Sequence, residues 1–196
     1  MIGMKLVVLC AAVLASGAAG AADLAAGAAK AQACMACHGP GGISQMAETP
    51  SLAGQPDGFL QWQLVFFRTG TRKSPVMQPL AAALKDDDIR DLAAFFAAQA
   101  PPGSAGTGNA DDPLGAAGRK VAQGNRCGNC HKDDFSGQQA TPRLAAQRED
   151  YLLKALRDFK AGRRTGGGVA AMAEVVYSLA DDDLRALARF LSRVPA

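Results

Sequence analysis

Apolar residues recur at helical spacing in two stretches of each half of the chain. The first stretch comprises Phe59, Leu60, Leu64 and Phe67, and its counterpart in the second half comprises Tyr151, Leu152, Leu156 and Phe159. The later stretch comprises Ile89, Leu92, Phe95 and Phe96, and its counterpart comprises Leu184, Leu187, Phe190 and Leu191. Such spacing places side chains on one face of an α-helix. Because no segment shows the alternation typical of a strand, the pattern predicts an all-α fold.

Capping residues indicate where the first helix of each half begins. Asp23 is placed to cap a helix that starts at Leu24 and reaches Cys37. In the second half, Asp112 is the cap and Pro113 suits the first helical position. We expect that helix to run into Cys127.

Glycines and aspartates mark the remaining helix ends. Gly70 and Gly162 follow the second helices and are placed to stop them. The aspartate runs 86–88 and 181–183 favour helix N-termini, because carboxylates are stabilised there by the helix dipole.

Matching blocks show that the chain is internally duplicated. Blocks that begin at Cys34, Thr49, Gly70 and Asp86 recur in the same order at Cys127, Thr141, Gly162 and Asp181. Residues 101–111, rich in Pro, Gly and small polar side chains, lie between the copies and are typical of a linker. The sequence therefore predicts one domain over residues 23–100 and a second over residues 112–196, joined by the linker 101–111.

The first 22 residues have the order of a secretory signal peptide. Lys5 precedes the uncharged run 6–15, and the small residues 16–22 follow it. The strongly apolar part is about 10 residues long, well short of the roughly 20 that a spanning helix needs. We therefore expect residues 1–22 to be removed on export to the periplasm, and we expect the mature protein to have no membrane span.

Removal of the leader changes both the charge and the cysteine count. The net charge falls from +3 to +2 because Lys5 leaves, which gives no indication of nucleic-acid binding. Cys10 leaves as well, so four of the five cysteines remain. They are arranged as two close pairs, each followed at once by a histidine.

The two Cys-x-x-Cys-His segments predict two covalently attached c-type haems. Two thiols three positions apart near a helix end can reach the two vinyl groups of haem and form thioethers. The next residue can then bind iron through its imidazole. The predicted attachment residues are Cys34, Cys37, Cys127 and Cys130, and the predicted iron ligands are His38 and His131.

Zinc binding and redox disulfides are the alternatives for these cysteines. A zinc site would require the two pairs to meet, although they lie in separate repeats and each carries a histidine. A thioredoxin-like disulfide would require a βαβ setting, for which the sequence shows no strands. Haem attachment is therefore the favoured interpretation.

Methionine is the natural sixth ligand of each iron. The chain has only two histidines, and all four mature cysteines are used for attachment. Met77 and Met172 each lie nine residues before an aspartate run, whereas Met35 and Met46 have no counterpart in the second half and are expected to fill the core. A thioether ligand raises the reduction potential, and two occupied axial positions leave one-electron exchange as the available chemistry.

The repeated blocks resemble the diheme class I cytochromes c, most closely those of the cytochrome c4 type. The resemblance spans nearly the whole mature chain and rests on the Cys-x-x-Cys-His segments, on residues 50–55 and 142–144, on residues 70–72 and 162–164, and on the two methionines. It implies two tandem class I cytochrome c domains. It also implies that the carbonyls of Pro50 and Pro142 accept hydrogen bonds from His38 and His131.

The same resemblance implies a non-enzymatic electron carrier that serves respiratory partners. Such partners are a terminal oxidase, an upstream dehydrogenase or a cytochrome complex. The alternative is a cytochrome subunit bound permanently to a periplasmic dehydrogenase. A haem enzyme with an open iron position is less favoured, because the sequence offers no distal histidine or spare cysteine.

The second copy departs from the first in two loops and carries a basic cluster. Residues 132–134 replace a glycine-rich stretch, and residues 166–168 fall in an expansion before Met172. The basic cluster comprises Lys154, Arg157, Lys160, Arg163 and Arg164. It could dock an acidic redox partner or form a solvated face, and the sequence leaves both open.

Overall fold

Both halves of the chain are helical in the computed structural model, which describes residues 20–103 and 112–196. Most of the predicted leader (residues 1–19) and most of the predicted linker (residues 104–111) lie outside the described residues. Within the described ranges there is no strand, and the one β-bridge joins Gln138 to Thr141. The predicted all-α class is confirmed.

The two halves repeat one order of helices. The N-terminal half contains α1 (Leu24–His38), a short 3₁₀ turn (Pro40–Gly42), α2 (Asp57–Arg68), α3 (Met77–Ala82) and α4 (Asp86–Ala97). The C-terminal half contains α5 (Pro113–Gly124), α6 (Gly128–His131), α7 (Glu149–Lys160), α8 (Val169–Tyr177) and α9 (Asp181–Arg193).

The predicted helix starts and stops are confirmed at several positions. The Asp23 carboxylate accepts hydrogen bonds from the N–H groups of Ala25 and Ala26 at 2.9 and 3.0 Å. Gly70 and Gly162 take φ angles of 70° and 67° just after α2 and α7, a conformation that glycine adopts without a steric penalty.

The first and last helices of each half cross with their backbones in contact. α1 packs on α4, and α5 packs on α9. A Cβ atom on Gly27 would lie 2.3 Å from the carbonyl oxygen of Asp91, and one on Gly118 would lie 1.9 Å from that of Ala186. Glycine is therefore required at both crossings, and the crossings fix the ends of α1 and α5 near the Cys-x-x-Cys-His segments.

The two hydrophobic cores differ in size. Among the described residues, the largest N-terminal cluster of buried apolar side chains in mutual contact has five members: Ala31, Leu60, Leu92, Ala93 and Phe96. The C-terminal core has twelve: Ala122, Phe135, Ala145, Leu152, Leu156, Val176, Leu179, Leu184, Leu187, Ala188, Phe190 and Leu191. The N-terminal half therefore depends more on any further apolar group that it binds.

No described helix has both the length and the apolar character that a membrane crossing requires.

Candidate functional site

The first Cys-x-x-Cys-His segment lies on the last turn of α1. Cys34, Cys37 and His38 are spaced three and four residues apart, which places them on one side of the helix. Both thiols are free and half-buried, and His38 is buried. Burial raises the pKa of the Cys34 thiol. The helix ends directly afterwards, at Gly39 with φ 78°.

The second segment is not the end of one continuous helix, so the prediction that the first helix of this half runs into Cys127 is wrong. α5 stops at Gly124, where both the N–H and the side-chain amide of Asn125 donate to the Val121 carbonyl. Arg126 then adopts a left-handed φ of 53°. The short helix α6 carries Cys130 and His131, with Cys127 immediately before it.

Each histidine of these segments is anchored to a proline carbonyl. His38 Nδ1 donates to the Pro50 oxygen at 2.8 Å, and His131 Nδ1 donates to the Pro142 oxygen at 2.9 Å. The contacts implied by the family resemblance are thus confirmed. Burial lowers the pKa of both histidines, and the hydrogen bond opposes burial only in part. Each ring is therefore neutral, with Nε2 as the nitrogen available to a metal.

The described residues do not bring the four cysteines into a zinc site. Across residues 20–103 and 112–196, no group of three or more His, Cys, Asp or Glu side chains is placed to hold a metal ion. All four cysteines are free thiols. A lone neutral histidine beside two thiols suits an iron atom that is held mainly by a porphyrin.

The two predicted methionine ligands lie in short helices, at different positions in the helix and with different neighbours. Met77 is the first residue of α3, and its N–H donates to the Ser74 hydroxyl at 3.1 Å. Met172 is the fourth residue of α8 and packs against the C-terminal core. Both side chains are half-buried. Their assignment as iron ligands stays a prediction.

The loop after each histidine has left-handed residues at two corresponding positions, which are glycines only in the first copy. Gly39 and Gly42 have φ angles of 78° and 84°, and Lys132 and Phe135 take the corresponding angles of 67° and 55°. The carbonyl of Gly42 accepts from the N–H groups of residues 52 and 53, as the carbonyl of Phe135 does from those of residues 144 and 145. These bonds hold the proline loops in place in both copies. The backbone between them differs, because Gly41 has a φ of 61° whereas its counterpart Asp134 has no left-handed φ.

Two glutamines, missed by the sequence reasoning, join the halves. Gln147 accepts from the Ser51 N–H at 2.8 Å and donates to the Ser51 carbonyl at 2.9 Å. Gln55 accepts from the Arg143 N–H at 3.0 Å and donates to the Arg143 carbonyl at 3.0 Å. Both glutamines are 4% exposed. The sequence feature that could have drawn attention to these glutamines is their equivalent position at the end of the repeated Thr-Pro block.

A tyrosine and two arginines from both halves form a second polar cluster. Burial raises the pKa of Tyr151, but the charges of Arg164 and Arg72 outweigh that effect and bring it to about 8. Each guanidinium also lies over a phenylalanine ring, Arg72 over Phe67 at 4.6 Å and Arg164 over Phe159 at 4.5 Å. The cluster offers two oriented cations to an anionic group.

Most of the basic cluster on α7 and the turn that follows it is paired within its own half. Asp158 binds both Lys154 and Arg163, the latter at 2.9 Å. The carboxylate of Asp181 at the start of α9 binds Arg157 at 2.7 Å. This pairing favours the solvated-face interpretation over a free docking patch.

Comparison with known proteins identifies one family over most of the chain. Residues 115–195 match the family model described as cytochrome c, and residues 20–96 match that described as cytochrome C oxidase, cbb3-type, subunit III. Over 177 residues the chain is 34% identical to cytochrome c4 of Azotobacter vinelandii, covering 81% of this chain and 82% of the relative. It is 33% identical over 170 residues to a thiosulfate dehydrogenase electron acceptor of Stutzerimonas stutzeri (strain A1501), covering 83% and 79%.

A solved structure supports the same assignment. Reduced recombinant cytochrome c4 from Pseudomonas stutzeri superposes with a TM-score of 0.80 at 32% identity, covering 89% of this chain and 100% of that one. The chain therefore belongs to the cytochrome c4 family of diheme c-type cytochromes: it comprises two class I cytochrome c domains, binds two haem c groups covalently, and is an electron carrier rather than an enzyme.

Proposed function

We propose that Cys34 and Cys37 attach one haem and that His38 and Met77 are the axial ligands of its iron. In the second domain the corresponding set is Cys127, Cys130, His131 and Met172. The observation that carries this assignment is the hydrogen bond from each histidine Nδ1 to a proline carbonyl, because it fixes the ring and leaves Nε2 for the metal. Haem c, when bound, supplies a centre that accepts and releases one electron.

The protein side chains hold and shield this centre. The Pro50 and Pro142 carbonyls set the orientation of the imidazoles, and burial of both rings excludes water from them. Arg72 and Arg164 are cations available to haem propionates. A methionine in the sixth position favours ferrous iron and prevents substrate binding at the metal.

The mature protein, in this proposal, is a periplasmic shuttle. Residues 1–22 direct export, residues 23–100 and 112–196 are the two domains, and residues 101–111 link them. The shuttle takes single electrons from an upstream dehydrogenase or cytochrome complex and delivers them to a terminal oxidase. Support comes from the leader pattern and from the absence of a membrane-spanning helix among the described residues.

A dehydrogenase subunit is the second candidate, favoured by the relative that is named as the electron acceptor of thiosulfate dehydrogenase. Size-exclusion chromatography of a native extract distinguishes the two. A permanent subunit would co-elute with a larger dehydrogenase, whereas a shuttle would elute at the size of the chain itself.

Carbon monoxide binding to methionine variants tests the ligand assignment. We expect Met77→Ala and Met172→Ala each to open one iron, so that carbon monoxide shifts the spectrum of about half of the reduced haem. Each variant should also lose about half of the weak long-wavelength sulfur-to-iron band and lower one reduction potential. The measurement is an absorption spectrum of the oxidised, reduced and carbon monoxide-treated protein.

Met46→Ala is the matched control, because Met46 has no methionine counterpart in the repeat. The expectation that Met46 fills the core is wrong, since it is 47% exposed. The spectrum of this variant should equal that of the unaltered protein. A pyridine haemochrome assay should give two c-type haems per chain in every sample. Carbon monoxide binding by the unaltered protein, or a full sulfur-to-iron band in Met77→Ala, would show that the assignment is wrong.

A further inference from the structure

Each proline carbonyl that anchors a histidine belongs to a peptide group whose N–H is bound by the opposite domain. The Pro50–Ser51 peptide accepts from His38 Nδ1 at 2.8 Å through its oxygen. Through its nitrogen, the same peptide donates to Gln147 Oε1 at 2.8 Å. A continuous hydrogen-bonded chain therefore runs from a histidine of the first domain to a glutamine of the second.

The second domain contains the mirror arrangement. The Pro142–Arg143 peptide accepts from His131 Nδ1 at 2.9 Å and donates to Gln55 Oε1 at 3.0 Å. The two hydrogen-bonded paths are crossed, since each begins at the histidine of one domain and ends at the glutamine of the other.

The orientation of both amides is determined by their partners. A backbone N–H can only donate, so the side-chain atom that faces the N–H of Ser51 or Arg143 must be the oxygen. The amide nitrogens donate in turn to the carbonyls of Ser51 and Arg143, at 2.9 and 3.0 Å. Each glutamine amide thus makes two bonds to one residue, which leaves it little freedom to rotate.

These bonds lie in a protein interior, where they affect one another. His38, His131 and both glutamines are each at most 7% exposed. In such surroundings, a peptide that donates at its N–H becomes a stronger acceptor at its carbonyl, because chains of hydrogen bonds polarise their members. A stronger acceptor draws the Nδ1 proton and makes the imidazole a more electron-rich ligand, which favours ferric iron.

We propose that Gln55 and Gln147 are positioning residues that lower the reduction potential of the haem in the opposite domain, by polarising the peptide that anchors its axial histidine. The inference rests on the proposed ligation of iron by His38 and His131. It makes the domain interface part of both redox centres, so that any movement of one domain against the other alters both potentials.

The test replaces each glutamine by methionine in the full-length protein with both haems. Methionine has a similar length and volume, but its thioether is a much weaker acceptor for the peptide N–H than the amide oxygen. We expect Gln147→Met to raise the equilibrium constant for reduction of the first-domain haem about threefold. At 59 mV per tenfold, this is a rise of about 28 mV in its reduction potential, and the potential of the second haem should not change. Gln55→Met should shift only the second haem. A redox titration followed by NMR, with haem resonances assigned to each domain, measures the two potentials separately.

A second readout reports on the hydrogen bond itself. In the reduced protein, the Nδ1 proton of His38 should move upfield in Gln147→Met, because its acceptor is weaker, while that of His131 stays in place. A glutamine that served only to hold the domains together would not produce this crossed pattern.

Thr165→Val is the matched control. The Thr165 hydroxyl donates to the Thr71 carbonyl across the same interface, and not to either proline peptide. Its loss removes one neutral inter-domain bond and should move neither potential.

Two results would overturn the inference: an equal shift of both haems in Gln147→Met, or no shift of the first haem. Failure of the underlying ligand assignment has a different signature. It would appear in the unaltered protein, as carbon monoxide binding or as a missing sulfur-to-iron band.

Discussion

At the scale of single residues, the helix crossings depend on the absence of a side chain. Gly118 of α5 lies where a Cβ atom would approach the Ala186 carbonyl oxygen to 1.9 Å, and the nearest obstacle is backbone rather than a movable side chain. A Cβ atom at residue 118 can therefore be accommodated only if α5 and α9 separate. That separation disturbs the packing beside Cys127 and His131.

We expect Gly118→Ala to lower the free energy of unfolding by about 3 kcal/mol, the upper end of the range for overpacking. Gly124→Ala is the control in the same helix, because nothing lies within 4 Å of a Cβ atom there. The control should be neutral or more stable by up to about 1 kcal/mol, since alanine favours helix. Thermal unfolding followed by circular dichroism measures both, and equal melting temperatures would contradict the expectation.

At the scale of elements, the start of α9 is tied to α7 by an ion pair. The carboxylate of Asp181 receives Arg157 through two hydrogen bonds of 2.7 Å and Arg185 through one of 2.9 Å. The hydrogen bond from Arg157 is the main cause that lowers the pKa of Asp181 to about 2. Desolvation opposes it, and the hydrogen bond from Arg185 and the charges of both arginines add to the lowering.

This pair predicts an acid-dependent contribution to stability. The pKa of Asp181 is lower in the folded state than in the unfolded one, where it is about 3.9. The pair therefore stabilises the fold fully above that value, and its contribution is lost as the pH falls through about 2. Asp181→Asn should lower the melting temperature at pH 5, and the difference from the unaltered protein should shrink steadily towards pH 2.

Asp182→Asn makes the same change of charge one residue later. Asp182 forms no ion pair with any described residue, so its variant should show a smaller difference at pH 5. A difference for Asp181→Asn that does not change with pH would contradict the prediction.

Local signals in the sequence predicted most helix boundaries, whereas long-range contacts determined the rest. Asp23, Asp88 and Asp183 mark helix starts through hydrogen bonds to backbone N–H groups within three residues, and the structure confirms them. The left-handed backbone of Phe135 could not be predicted, because its carbonyl is held by the N–H groups of residues 144 and 145.

The features of the candidate site also divide into those that the sequence predicted and those that depend on long-range contacts. The Cys-x-x-Cys-His segments and the proline anchors follow from a motif and a family resemblance. The partner of each proline peptide could not be predicted from either, because it comes from about 90 positions away in the chain and depends on how the two copies pack.

At the scale of the whole molecule, two domains with unequal cores share a polar interface. Four hydrogen bonds of Gln55 and Gln147 cross it, and Arg148 adds a bond to the Ser44 carbonyl at 3.2 Å. At about 1 kcal/mol each, the four glutamine bonds couple the unfolding of one domain to that of the other.

The double variant Gln55→Met with Gln147→Met should uncouple the domains. In the unaltered protein we expect one calorimetric transition, with a ratio of calorimetric to van't Hoff enthalpy of about 1. In the double variant the ratio should rise clearly above this value, and the N-terminal domain, which has the smaller core, should unfold first. An unchanged ratio would show that other contacts carry the coupling.

The reciprocal glutamine contact has the form of an isologous dimer interface, in which each partner offers the other the same surface. A homodimer built on such an interface carries every substitution twice, once in each copy. A fused chain carries each substitution once, so its two sides can change independently. The chain shows that freedom where Gly39 of the first copy corresponds to Lys132 of the second, while both copies keep their glutamine contact. Two electron-transfer centres that began alike can therefore acquire different driving forces without separating.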